Sequence, residues 1–280
     1  MNIKILSDST CDLSAELLLQ HDITLIPLTV VKADEQFKDG VTITPAEIFA
    51  HVAAGGDMGS TSANSVGEYE DYFNEYAPKY DGVLLINIGS GFSSCYQNAC
   101  IAAEDFDNVR VIDSQNLTTG QGHVVLEACR LAENCTDLDE LAEKLRAFTE
   151  KIEASFLLDR LDYMVKGGRC STVAALGANL LNLKPCIEVR SGKMTVVKKY
   201  RGSFAKSILS YAKDRVTGLE DLDRAEAFLT FTDVSDEILS SVRQYVKDNG
   251  NFEQIYESTA GCTISCHCGP GTLGLLLVRK

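Results

Sequence analysis

Basic residues are scarce in this chain. Lysine and arginine total 26 against 40 aspartates and glutamates, giving a formal net charge of −14 at pH 7. A surface of that sign repels phosphate backbones and anionic head groups over most of its area, so no nucleic-acid partner is expected. Long apolar runs are missing too. No stretch approaches the roughly 20 residues that a membrane helix needs. The first residues lack the basic start, apolar run and small-residue cleavage site of a secretory leader, and the expected location is the cytoplasm. C-x-x-C is also absent. The ten cysteines (11, 95, 100, 129, 135, 170, 186, 262, 266, 268) are scattered through apolar segments without framework spacing, as expected for reduced thiols packed as small hydrophobes. Neither Gly-rich stretch fits G-x-x-x-x-G-K-[ST], and "GSGFSS" lacks the third glycine of G-x-G-x-x-G, which argues against a nucleotide site.

What is present is alternation. The apolar runs "IKIL", "ITLIPLTVV", "LLINI" and "VRVID" are separated by amphipathic segments, which reads as α/β layering around a largely parallel sheet. Helix starts are marked by capping boxes at Thr44-Pro45-Ala46-Glu47 and at Ser65 to Glu68. A strongly periodic helix over 136–152 gives way to "ASFLLD", a Gly-rich turn, an apolar helix in "VAALGANLLNL" (173–183) and a hairpin, "CIEVRSGKMTVVKKY". Helices about 203–217 and 235–249 follow, with strands at "AFLTFTD" and near 252–258 and 272–279. The 280 residues suffice for two domains of ordinary size, and the change of pattern divides them into 1–152 and 153–280.

Polar residues gather where strands end, at "ILSDST" (5–10), "INIGSGFSS" (86–94) and "VIDSQN" (111–116). Ligands in open α/β sheets sit at the carboxyl ends of strands, and the same residue types are the preferred helix caps; both readings stand. "GSTSANS" places Thr61 and Ser62 on a Gly-flanked loop, while "GSGFSSCYQNA" offers Ser90, Ser93 and Ser94 with amides at a helix start, a setting that suits an anion. "CTISCHCGPG" (262–271) sets three cysteines and a histidine close together. Zinc wants about four converging ligands, and in an extended chain the imidazole of His267 faces away from both flanking thiols. The spacing C-x-x-x-C-H also misses the haem-attachment motif. No metal site is expected, and His267 is left as either a ligand contact or a satisfied turn residue. Lys166 and Arg169 flank a glycine pair, and Arg190, Lys193, Lys198, Lys199 and Arg201 crowd the hairpin, ordinarily a solvated face.

Taken together, "SDST" (7–10), "TSANS" (61–65), "GFSSCYQNA" (91–99), "IDS" (112–114), "LDYMVKGGR" (161–169), "LLNLKP" (180–185) and "HCGPGTLGL" (267–275) resemble the DegV family over nearly the whole chain. These are fatty-acid-binding proteins that serve as the acyl-carrying subunit of bacterial fatty acid kinase. The resemblance implies an N-terminal α/β domain with a mainly parallel sheet, a C-terminal α/β domain, and a long-chain fatty acid buried between them. Its carboxylate would meet Thr61, Ser93 and His267, with Ser62 nearby. The chain itself would be no enzyme and would carry no cofactor beyond the lipid. Its partners would be the kinase's catalytic subunit and, transiently, a membrane surface. Arg169 is the expected docking residue for the kinase, since a guanidinium grips carboxylate or phosphate in bidentate fashion; the alternative is an arginine that caps carbonyls. The chain departs from the family pattern at Ala63, Asn64, Ser94, Cys95 and Cys170, which bears on chain-length preference and not on the head-group site. Two rival readings compete. One is a hydrolase or acyltransferase with Ser93 as nucleophile, His267 as base and Asp8 or Asp113 as orienter. The other is a metal or redox module on the cysteines.

Overall fold

The computed structural model describes residues 1–174 and 183–280. Its strands are β1 (Ile3–Asp8), β2 (Thr24–Ile26), β3 (Thr29–Lys32), β4 (Glu35–Lys38), β5 (Ser60–Ser62), β6 (Gly82–Asn87), β7 (Val109–Asp113), β8 (Ile152–Leu158), β9 (Leu183–Arg190), β10 (Lys193–Arg201), β11 (Glu226–Thr232), β12 (Gln254–Thr259) and β13 (Thr272–Val278). They form three sheets, ordered β2-β1-β6-β7, β4-β3-β5 and β10-β9-β8-β13-β11-β12. The first is wholly parallel, with Leu6 beside Leu85 and Ile86 beside Ile112. Every residue of β6 is buried; a parallel strand covered on both faces reads as a continuous apolar run, as "LLINI" does. The third sheet is antiparallel except where β11 runs beside β12. Among the described residues no helix is long and apolar enough to cross a membrane.

Both capping boxes form. The Glu47 amide donates to Thr44 Oγ1 at 3.4 Å while Glu47 Oε2 accepts from the Thr44 amide at 2.8 Å, and Ser65 and Glu68 repeat the exchange. The run "ITLIPLTVV" behaves differently from a single strand. Its first part is β2 of the parallel sheet and its second part is β3 of the small antiparallel one. Pro27 lies at the break, where a residue without an N–H ends one ladder and lets the chain turn into another. The apolar helix expected in 173–183 falls largely on 175–182, outside the described residues.

Several contacts join the first half of the chain to the six-stranded sheet. Ser191 and Gly192 form the β9–β10 turn with φ of 46° and 69°, the paired positive values of a two-residue hairpin. This turn abuts the loops after β6 and β7: the Gly192 amide donates to the Gln115 carbonyl at 3.2 Å, and a Cβ on Gly91 would lie 2.1 Å from the Gly192 carbonyl oxygen. Only glycine permits that approach. Elsewhere His123, fully buried on the Thr119–Ala132 helix, donates from Nε2 to the Leu276 carbonyl at 2.9 Å and sets Nδ1 3.0 Å from Glu226 Oε1. His123→Ala leaves these acceptors without their buried partner and is expected to cost roughly 2–4 kcal/mol. The check is a lowered urea midpoint with an unchanged slope.

Candidate functional site

The segment Cys262–Cys268 is a helix, not the extended chain that the sequence reading assumed. No local side chain caps it; the caps come from far away in sequence. Asp39 accepts from the Cys262 amide at 2.7 Å and the Thr263 amide at 3.1 Å, and Asp12 accepts from the Gly261 amide at 2.9 Å. Ser9 Oγ donates to Asp39 at 3.1 Å and accepts from the Leu28 amide at 3.1 Å, so the "SDST" segment supports the carboxylate that holds this helix. Burial pushes the Asp12 carboxyl well above the usual range, against the hydrogen bonds from Thr118 and Gly261. Cys262 and Cys266 pack with Val30, Ile43 and Ile48 in a small apolar cluster, seating a helix of the second half on the first.

This seating turns His267 into a cavity of about 710 Å³ whose wall also includes Thr61, Ser62, Ser93 and Arg169. All five singled-out residues thus meet in one place. Thr61, on β5, lies 2.9 Å from His267 Nε2 through its Oγ1. Ser93 Oγ accepts from the Cys95 amide at 3.3 Å, ahead of the Cys95–Ala103 helix, and lies 3.1 Å from Cys95 Sγ. The wall is completed by apolar groups including Leu28, Ile88, Phe92, Met164, Met194 and Ile264. A narrow apolar seam of about 20 Å³ adjoins it, sharing Leu117, Ile264 and Cys268 and lined by Phe156, Phe231 and Leu276.

Sequence reasoning missed Thr263. Its Oγ1 is buried without a partner on the same wall, and it precedes His267 by four residues, a same-face spacing once the segment is helical.

The imidazole is neutral. Burial, with a smaller contribution from the Arg169 charge, lowers the His267 pKa from 6.5 to about 4. Its Nδ1 is buried without a hydrogen-bond partner and faces Gly167, where a Cβ would stand 2.3 Å away. A buried N–H with no acceptor is the rarer and costlier state, so the proton resides on Nε2 and is donated to Thr61 Oγ1. The Thr61 hydroxyl hydrogen is then free to point into the cavity.

The rival arrangements are not assembled. Asp8 accepts from the Thr10 amide, Gln121, Asn87 and the Ile88 amide. Asp113 accepts from the Ser90 amide, the Ser90 hydroxyl and the Gln115 amide. Each carboxylate serves its own loop, and no described carboxylate bonds the free nitrogen of His267. The ten cysteines are free thiols, and burial pushes Cys11, Cys266 and Cys268 up to about 12, far from the thiolate that redox or metal chemistry uses. Among the described residues no group of three or more His, Cys, Asp or Glu could hold a metal ion. Arg169 is exposed and donates to the Gly167 carbonyl at 2.8 Å; it both caps a carbonyl and faces the cavity.

The model of the DegV family, described as uncharacterised proteins, matches residues 2–280. A DegV domain-containing protein of Clostridium acetobutylicum is 32% identical over 282 residues, with 99% of each chain covered. The structure of a DegV family protein from Thermus thermophilus, described by its fatty acid binding, is similar with a TM-score of 0.92 and 28% identity, each chain covered in full (100%). The fatty acid kinase (Fak) B3 protein of Streptococcus pneumoniae, loaded with linoleic acid, shares the fold at 20% identity and a TM-score of 0.83, again over 100% of each chain. The chain belongs to the DegV family. Its mixed α/β architecture, with the parallel sheet, is that of the family's two-domain structures.

The low pKa of His267 has a definite sign in stability. The unfolded chain takes up the proton near 6.5 and the folded one only near 4, so the contribution of His267 to stability is full above 6.5 and is lost as pH falls toward 4. His267→Gln is expected to flatten denaturation midpoints across that window. In wild type, NMR titration of the imidazole is expected near pH 4, moving upward when a carboxylate ligand fills the cavity, because a nearby anion favours the imidazolium.

Proposed function

We propose that the protein binds a long-chain fatty acid and presents its carboxylate to a partner kinase for acyl phosphate formation, without catalysing turnover alone. Residues 1–152 and 153–280 act as two domains with the lipid between them. Thr61 and Ser93 donate to the carboxylate, His267 orients Thr61 and stands beside the anion, and Ser62 lies at the rim. The observation that carries this reading is the Thr61–His267 pair at 2.9 Å in a cavity of about 710 Å³ that adjoins an apolar seam between Leu117 and Leu276. Donors at one end and hydrocarbon at the other match an amphiphile with an anionic head.

Burying ~14 methylenes contributes about 11 kcal/mol against water, yet a bilayer offers the chain nearly the same. Selectivity over the membrane, which the protein contacts transiently to collect its cargo, therefore leans on the head-group bonds at roughly 1.5–3 kcal/mol each. Arg169, at the exposed edge of the same cavity, docks the kinase.

Denaturing extraction is expected to yield stoichiometric fatty acid; protein that carries none and takes up none contradicts the proposal. Ser93→Ala is expected to weaken retention about ten-fold, the equivalent of one such bond, while the melting of the lipid-free protein stays nearly unchanged. Arg169→Ala is expected to keep its lipid and lose acyl phosphate formation in a reaction reconstituted with the kinase and ATP. Unimpaired formation removes Arg169 from the docking surface.

A further inference from the structure

A second cavity, of about 610 Å³, lies on the other side of Arg169. It shares Ser90, Gly91, Phe92, Arg169 and Met194 with the first, so the two adjoin along these residues. Its character is different. Hydroxyls of Ser171, Thr172, Ser191 and Thr195 replace the hydrocarbon, and Lys193 joins Arg169 on the wall. In a chain with a net charge of −14, two cations facing one cavity are a local reversal of sign. Neither has a carboxylate within salt-bridge distance among the described residues. The one acid on the wall, Asp113, is tied down by the Ser90 amide at 3.0 Å, the Ser90 hydroxyl at 2.5 Å and the Gln115 amide at 2.8 Å. The lysine backbone is held in place as well. Lys193 directly follows the Ser191–Gly192 turn, whose tip is pinned to the first half of the chain by the Gly192 amide's bond to Gln115 at 3.2 Å.

We propose that this second cavity seats the phosphoryl group of a lipid acyl phosphate, with Lys193 and Arg169 meeting its oxygens. The proposal rests on the fatty-acid reading above and extends it to the product. In the transfer, a carboxylate oxygen attacks the γ-phosphorus of ATP brought by the kinase. A carboxyl oxygen–phosphorus bond forms, the bond from the γ-phosphorus to the β,γ-bridging oxygen breaks, and ADP leaves with that electron pair. The lipid head then carries phosphoryl oxygens with more negative charge than the carboxylate had. Thr61 and Ser93 offer only neutral donors, and the cations that can answer the added charge stand in the adjoining cavity. A phosphoryl group fits this wall because its oxygens accept from hydroxyls, ammonium and guanidinium alike.

The test compares palmitate with hexadecyl phosphate, a stable lipid with a phosphoryl head, by equilibrium binding to wild type and Lys193→Glu. Circular dichroism verifies the fold of each. The variant is expected to lose about ten-fold in affinity for hexadecyl phosphate at low ionic strength, a difference that shrinks as salt screens an exposed charge. Its palmitate affinity is expected to stay within about two-fold. Equal losses for both lipids, or no loss for hexadecyl phosphate, overturn the proposal. A wild-type protein that binds palmitate and rejects hexadecyl phosphate overturns it too and leaves the fatty-acid reading standing; one that binds neither lipid removes that reading first. Inorganic phosphate titrated into the palmitate-loaded protein supplies the last arm. Lys193-dependent binding of the free anion, with no Lys193 dependence for hexadecyl phosphate, assigns the cavity to a free anion and overturns the lipid-borne assignment.

Discussion

A short helix held by borrowed carboxylates is the constraint on which the site depends. Cys262–Cys268 has seven residues and no side-chain cap of its own, too short to persist alone in water. Its first amides are satisfied by Asp12 and Asp39, both from the first half of the chain and both buried. Apolar packing of Cys262 and Cys266 adds to the hold. Thr263 and His267 reach the cavity because this docking fixes the face the helix presents. The polar residues that look like a ligand cradle in the sequence therefore divide into two groups. Ser9 and Asp8 knit loops and helix together, whereas Thr61, Ser93 and His267 face open space.

That division explains what was legible. Elements governed by local rules read correctly: the boxes at Thr44–Glu47 and Ser65–Glu68, the continuous apolar run of β6, and the hairpin around Ser191–Gly192 all follow from residues within a few positions of one another. The cysteine-rich helix did not, because its caps lie more than 200 residues away and its own sequence, with β-branched Thr263 and Ile264 and a Gly-Pro-Gly exit, has no helical signature. Thr263 was lost with it. The roles of Thr61, Ser62, Ser93 and His267 toward a carboxylate are what the resemblance implies, and their convergence on one cavity is a property of the fold that no single segment encodes. Arg169 caps the Gly167 carbonyl, as the second of its two readings has it, and also lines the cavity.

Charge at the site is arranged in an order that composition hides. The inner wall is neutral, with hydroxyls and an imidazole that burial keeps unprotonated; Arg169 stands at that cavity's exposed edge and Lys193 on the adjoining one. An anion that enters past the rim meets full positive charge there first and neutral hydrogen-bond donors further in. A charged imidazole inside the pocket would have carried a desolvation cost in the empty protein; the neutral form avoids it and leaves room for the charge to rise when an anion arrives.

The narrow seam between the halves has a kinetic meaning. At about 20 Å³ it has no room for a hydrocarbon chain unless its walls separate, and the walls belong to elements tied by His123 to Glu226 and Leu276 and by the hairpin tip against Gly91. For a ligand whose tail lies in that seam, departure is no faster than the parting of the two halves. Residence time then has two contributions, the parting of the joint and the breaking of the head-group bonds, so a loosened joint shortens it for every head alike while a lost bond shortens it only for the heads that made it.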